Sequence, residues 1–202
     1  MRRLLQLVPL LLVALASCVT VDPKDPNPTK HSTGLWMQPT PQLAEKIDQN
    51  AQRLPWTHGI ERVELIQWFA RVGEPAYYKL LEMVVDPRAD VSGAALAALG
   101  ATRDARLVEP LRELPWPEMK DSDVALERAR TLLRLGDWSM VPHLIKGLED
   151  ERVMVRAICG QTLYEATHER FGFDANASEG DREASVAQWN QWWDQRQTDP
   201  MR

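Results

Sequence analysis

Cysteine, histidine and long apolar runs are all scarce in this chain, and each scarcity removes a class of explanation. There are 2 cysteines in 202 residues, Cys18 and Cys159, too few for a disulfide framework to hold the fold together. The longest apolar run, Leu4 to Ala16, falls short of the roughly 20 residues a spanning helix needs, and no other segment is apolar enough to span. The 4 histidines, His31, His58, His143 and His168, are scattered with no metal-ligand spacing such as H-E-x-x-H. No G-x-S-x-G elbow, P-loop or dinucleotide fingerprint occurs. Nothing therefore nominates a catalytic residue, a metal, a cofactor or a small-molecule substrate. Strand-type alternation is hardly found either, while 44% hydrophobic and 26% charged residues fit a globular domain with one core.

What is present begins with MRRLLQLVPLLLVALASCVT, two arginines, an apolar stretch and small residues before a cysteine. Leu15-Ala16-Ser17-Cys18 resembles the lipobox of bacterial lipoproteins. The resemblance implies cleavage before Cys18, acylation of its thiol, and a chain held at a membrane by acyl groups. The remaining 185 residues (202 minus 17) carry 22 basic and 29 acidic side chains, a net charge of about −7 that argues against a nucleic-acid partner. With Cys18 acylated, Cys159 has no cysteine to pair with. Val19 stands where aspartate retains some lipoproteins at the inner membrane. The resemblance thus points to the outer membrane, facing the periplasm or the cell surface.

The chain divides by composition. Residues 1–17 form the signal, and 18–41 a proline-rich tether with five prolines from Val19 to Pro41. Residues 42–58 hold one polar helix, Leu43 to Leu54, and a linker. From Gly59 the sequence breaks into short helical segments ended by Gly or Pro. Helices are expected near Glu61–Val72, Pro75–Val84, Val91–Leu99, Ala105–Leu114, Asp123–Leu135, Ser139–Leu148 and Arg152–Thr167. Gly73, Gly100 and Gly136 are each placed one residue past a helix, as left-handed caps.

Val91, Val124 and Val155 recur 33 and 31 residues apart, each after an acidic turn holding Asp86, Asp121 or Asp150, and such a period marks stacked helix pairs. VPHLIKGLEDERVMVRAICGQTL, Val141 to Leu163, resembles a HEAT-like repeat of the short bacterial kind through Pro142, Leu144, Leu148, Asp150, Val155 and Arg156. LVEPLRELPW is similar more weakly, and Ser92 and Ala125 depart from the pattern where arginine is expected. The resemblance runs over 59–168 and implies an all-α, right-handed solenoid. It also implies that Arg156 partners Asp150 across the turn and that the inner side of the second helices recognises a partner. Glu127, Arg130 and Arg134 lie there on one helical face, which is equally what a solvated helix with one intrahelical pair displays.

Residues 169–196 begin like a calcium loop, with Asp174, Asn176 and Ser178 at alternate positions. Glu179 and Ser185 then stand where glycine and a bidentate glutamate belong. A final helix, Asp181 to Arg196, sets Val186, Trp189 and Trp193 on one stripe with Trp192 beside it, the pattern of a cap over the last repeat. Phe171, Gly172, Phe173, Asp174, Trp189, Trp192 and Trp193 are similar to the ending of some bacterial HEAT-like proteins. A tail, 197–202, follows. Cys159, within an apolar helix, is expected to be a buried, inert thiol. Together these features lead to a non-catalytic envelope lipoprotein that holds a protein partner. Two alternatives stay open: a carbohydrate or peptidoglycan binder using Trp36, Trp56 and Trp116, and a non-catalytic subunit of an envelope enzyme complex.

Overall fold

A computed structural model describes residues 36–114 and 123–198. The signal peptide, Cys18, His31, Trp116, Asp121 and the final four residues lie outside them. The described residues are helical, without a strand. In chain order the helices are α1 (Pro41–Arg53), α2 (Gly59–Val72), α3 (Tyr77–Val84), α4 (Ala89–Thr102), α5 (Val108–Glu113), α6 (Asp123–Arg134), α7 (Val141–Gly147), α8 (Val153–Thr167) and α9 (Glu179–Thr198).

Three expected helices are each replaced by a tight turn followed by a helix. Turns of 3-10 type at Glu74–Ala76, Ala105–Leu107 and Trp138–Met140 lead into α3, α5 and α7. Two of them are closed by an aspartate whose carboxylate accepts a backbone N–H two residues on. Asp104 takes that of Arg106 at 3.1 Å and Asp137 that of Ser139 at 3.1 Å. Such a local acceptor favours the tighter turn over a regular helical start.

Gly73 and Gly136 end α2 and α6 at φ of +66° and +102°, conformations that a side chain would resist. Gly100 does not cap α4, contrary to the sequence expectation. The helix runs on to Thr102 and Arg103 takes the left-handed position at φ 55°. Gly100 is instead where α4 and α6 cross. A Cβ there would stand 3.2 Å from Thr131 Oγ1 and 3.3 Å from its Cα, so the missing methyl sets how closely the helices approach. Thr131 uses the proximity to donate its hydroxyl to the Leu96 carbonyl at 2.9 Å.

Packing follows chain order. α2 lies against α4, α4 against α6 and α6 against α8, while α3 sits beside α4 and α7 beside α8. The α4 sequence, ADVSGAALAALGAT, is mostly alanine, glycine and leucine, so it can be covered on several sides at once, and from Val91 to Gly100 it is buried except at Gly93 and Ala97, which are half-buried. One apolar cluster gathers Phe69, Leu80, Leu96, Leu99, Leu107 and Leu111. A second joins Val141, Leu144, Leu148, Cys159, Leu163, Val186 and Trp189. Each fully buried leucine stabilises the fold by roughly 2 kcal/mol relative to an exposed one.

Candidate functional site

Helices α2, α4, α6 and α8 are tied to one another by polar contacts. Arg62 on α2 pairs with Asp90 on α4 at 2.8 Å. Across the α6–α8 junction, Arg130 donates to Thr162 Oγ1 at 3.1 Å, and Arg134 reaches Glu165 at 3.2 and 3.0 Å. Arg130 also pairs with Glu127 on its own helix. Glu127, Arg130 and Arg134 thus do share a face. They are half-buried and engaged with α8 and each other, however, rather than open to a partner as the sequence pattern suggested. The same helical spacing serves solvent and a neighbouring helix equally well, so the stripe alone does not distinguish them. Burial raises the Glu165 carboxyl, but the hydrogen bond from Gln161 and the charge of Arg134 outweigh it and hold the group below the usual glutamate range.

The turns carry a second set of contacts, built on an Asp-x-Arg pattern. In 86–88, 104–106 and 150–152 the aspartate accepts both the backbone N–H and the guanidinium of the arginine two residues later. Hydrogen bonds from these arginines, first among the causes, keep Asp86, Asp104 and Asp150 below the ordinary aspartate range. Arg106 also reaches back to Glu74 and Arg152 to Asp123, linking successive turns. Arg112 grips the buried Asp137 with two bonds, 2.9 and 2.7 Å. The pattern was legible as DPR, DAR and DER.

Arg156 does partner Asp150 across the turn, through the main-chain carbonyl of Asp150 and not its carboxylate. The Asp150 carboxylate goes to Arg152, and Arg156 donates to main-chain carbonyls: Asp150 at 2.7 Å, Glu151 at 2.9 Å, and Ala175 at 2.9 and 2.7 Å. Carbonyls carry no sequence signature, so this use of the arginine could not be read in advance. Arg156 binds the α7–α8 turn to the stretch that resembles a calcium loop. In that stretch Asp174 accepts the Asn176 N–H at 2.9 Å, and Ser178 accepts the Asp181 N–H at the start of α9. Among the described residues, no three or more His, Cys, Asp and Glu side chains gather as a metal site.

α9 is an aromatic cover. Trp189 is 1% exposed, with Phe171 edge-on at 4.8 Å and Trp192 at 5.6 Å between ring centres. Trp193 lies tilted beside Trp192, and Arg196 sits over Trp138 at 4.4 Å, tying α9 to the turn before α7. Phe171 holds φ at +47°, an uncommon conformation for a bulky residue, which the aromatic contact maintains. Beneath the cover Cys159 is fully buried. Loss of solvent pushes its thiol up to about 12, so it carries no thiolate at neutral pH.

The tryptophans expected to meet sugar separate. Trp36 is 3% exposed and packs edge-on against Tyr77, whereas Trp56 is 79% exposed. Trp56 precedes α2, whose Ile60 and Val63, one turn apart, are also exposed. No protein-family model matches the chain, and no curated protein matches it.

Proposed function

We propose that this chain is a lipid-anchored cell-envelope protein, attached through Cys18, whose HEAT-like, right-handed helical solenoid acts as a non-catalytic scaffold for a protein partner. The observation that supports it best is the order of packing. Second helices follow one another as α2, α4, α6, α8, and tight lead-in turns start at Glu74, Ala105 and Trp138, 31 and 33 residues apart. Regular stacking of this kind creates extended surface rather than a deep pocket. Asymmetry between the ends adds to it. The C-terminal end is covered by α9 on α7, while Trp56, just before α2, and Ile60 and Val63, on α2, stand exposed. A tryptophan with aliphatic neighbours is the composition of an interface hot spot.

The partner contact therefore shifts from Arg130 and Arg134, which hold α6 to α8, to the α2 end. The test is crosslinking in native membranes followed by mass spectrometry, comparing wild type with Trp56→Ala, Ile60→Ser and Cys18→Ser. A specific protein should be enriched by the wild type, lost with the two α2-end variants, and lost from the membrane fraction with Cys18→Ser. Failure to enrich any protein, or enrichment indifferent to Trp56 and Ile60, contradicts the scaffold reading.

A further inference from the structure

The row of helices that begins at α2 is closed at one end and bare at the other. α4 lies on α2, α6 on α4 and α8 on α6. α8 turns Thr162 and Glu165 toward α6, and its Gly160 side is covered by the segment before α9, through Phe173 on Gly160 and Ala175 on Arg156. α2 buries Leu65 and Phe69. On its opposite side Ile60, Val63, Glu64, Gln67 and Arg71 recur at helical spacing as one stripe, and all five are exposed. This is the kind of surface that each later helix of the row receives covered, and a partner seated on it continues the same packing.

The stripe is complementary to itself. Arg71 follows Glu64 by two helical turns, and neither takes part in an ion pair among the described residues. A second α2 laid antiparallel, with Gln67 opposite Gln67 of the other copy, sets each Glu64 against the other copy's Arg71. The two Gln67 amides, each both donor and acceptor, then meet at the centre. Parallel pairing would instead oppose like charges. The ends match too. Exposed Met37 is held by its N–H on Glu74 at 3.0 Å, just past the C-terminal end of α2. Antiparallel pairing therefore brings Trp56 and Ile60 of each copy toward Met37 of the other, and exposed apolar side chains at both ends leave water together. We propose that the partner at the α2 end is a second copy of this chain, docked antiparallel along α2 about a two-fold axis at Gln67, the commonest closed symmetry of oligomers. The proposal rests on the scaffold reading and names the partner of that same surface, so a tagged copy should enrich an untagged one.

The test is Gln67→Cys in the full-length protein in native membranes under mild oxidation. A two-fold axis at this position brings the introduced thiols near the Cβ separation of roughly 3.5–4.5 Å that a disulfide needs, while Cys159 is buried. Mass spectrometry should find the peptide joined to itself through residue 67, and Lys146→Cys, exposed on α7, should give no such self-link. Adding Glu64→Arg or Arg71→Glu, both at exposed positions, should cut the linked fraction about tenfold without changing the melting temperature. Both reversals together restore complementarity and should restore the link. A residue 67 link no stronger than the Lys146→Cys control, a link indifferent to the reversals, or one that the double variant fails to regain overturns the proposal. If another protein is then still enriched through Trp56 and Ile60, the second copy is refuted while the scaffold reading stands.

Discussion

The guanidinium of Arg156 and the carbonyl of Ala175 are joined by two hydrogen bonds, 2.9 Å from Nε and 2.7 Å from Nη2. A third and fourth bond run to the carbonyls of Asp150 and Glu151. One buried side chain thus fixes the α7–α8 turn and the segment that positions the aromatic cover. Lysine retains the charge but lacks the planar fork. Arg156→Lys should destabilise the protein by about 2–3 kcal/mol through carbonyls left without donors, seen as a lower midpoint in denaturant. Wild-type stability would mean that water replaces the arginine without cost.

Trp189 closes the second apolar cluster between Phe171 and Trp192. Trp189→Ala should cost about 3–5 kcal/mol, while Trp189→Phe, which keeps a ring, should cost less. Calorimetric melts of both variants distinguish a structural cover from a surface aromatic, for which both changes would be nearly neutral.

Gly147 gives the Cys159 thiol its place, since a Cβ on Gly147 would overlap Sγ. Gly147→Ala is expected to destabilise by roughly 1–3 kcal/mol through overpacking. Adding Cys159→Ala removes the clashing atom, so the double variant should lose less than the two single losses combined. Strict additivity in a double-mutant cycle would show that the two sites do not touch.

Acid should loosen the turns. The Asp86, Asp104 and Asp150 carboxyls are held below the ordinary range by Arg88, Arg106 and Arg152. Their contribution is complete above the unfolded value of about 3.9 and is lost as pH falls through the lower folded values. Melting temperature should therefore fall as pH drops below about 4, and Asp104→Asn should make that fall shallower. A melting temperature flat down to pH about 2 would contradict the role given to these pairs.

Helix positions were legible because glycine and proline punctuate them and apolar residues recur at helical spacing. The 3-10 lead-ins were not, since Pro75 suits the first residues of either kind of helix. Gly100 shows a deeper limit. Glycine serves both positive φ and close helix approach, and only the partner, Thr131, reveals which one applies. The aromatic stripe of α9 was readable in outline because Val186 and Trp189 must face apolar surface. The use of Arg130 and Arg134 was not, because a neighbouring helix leaves the same charge spacing as solvent.

The packing of α2, α4, α6 and α8 in chain order is tested most directly at the α4–α6 crossing. A Cβ at Gly100 would lie 3.5 Å from that of Thr131, at the short end of the 3.5–4.5 Å typical of disulfides. With Cys18→Ser and Cys159→Ala as background, Gly100→Cys and Thr131→Cys together should form a disulfide under mild oxidation. Mass spectrometry would then find the two thiols consumed and the linked peptides joined in one monomer. Two thiols that stay fully reactive in a protein with an intact helical spectrum would contradict the stacking.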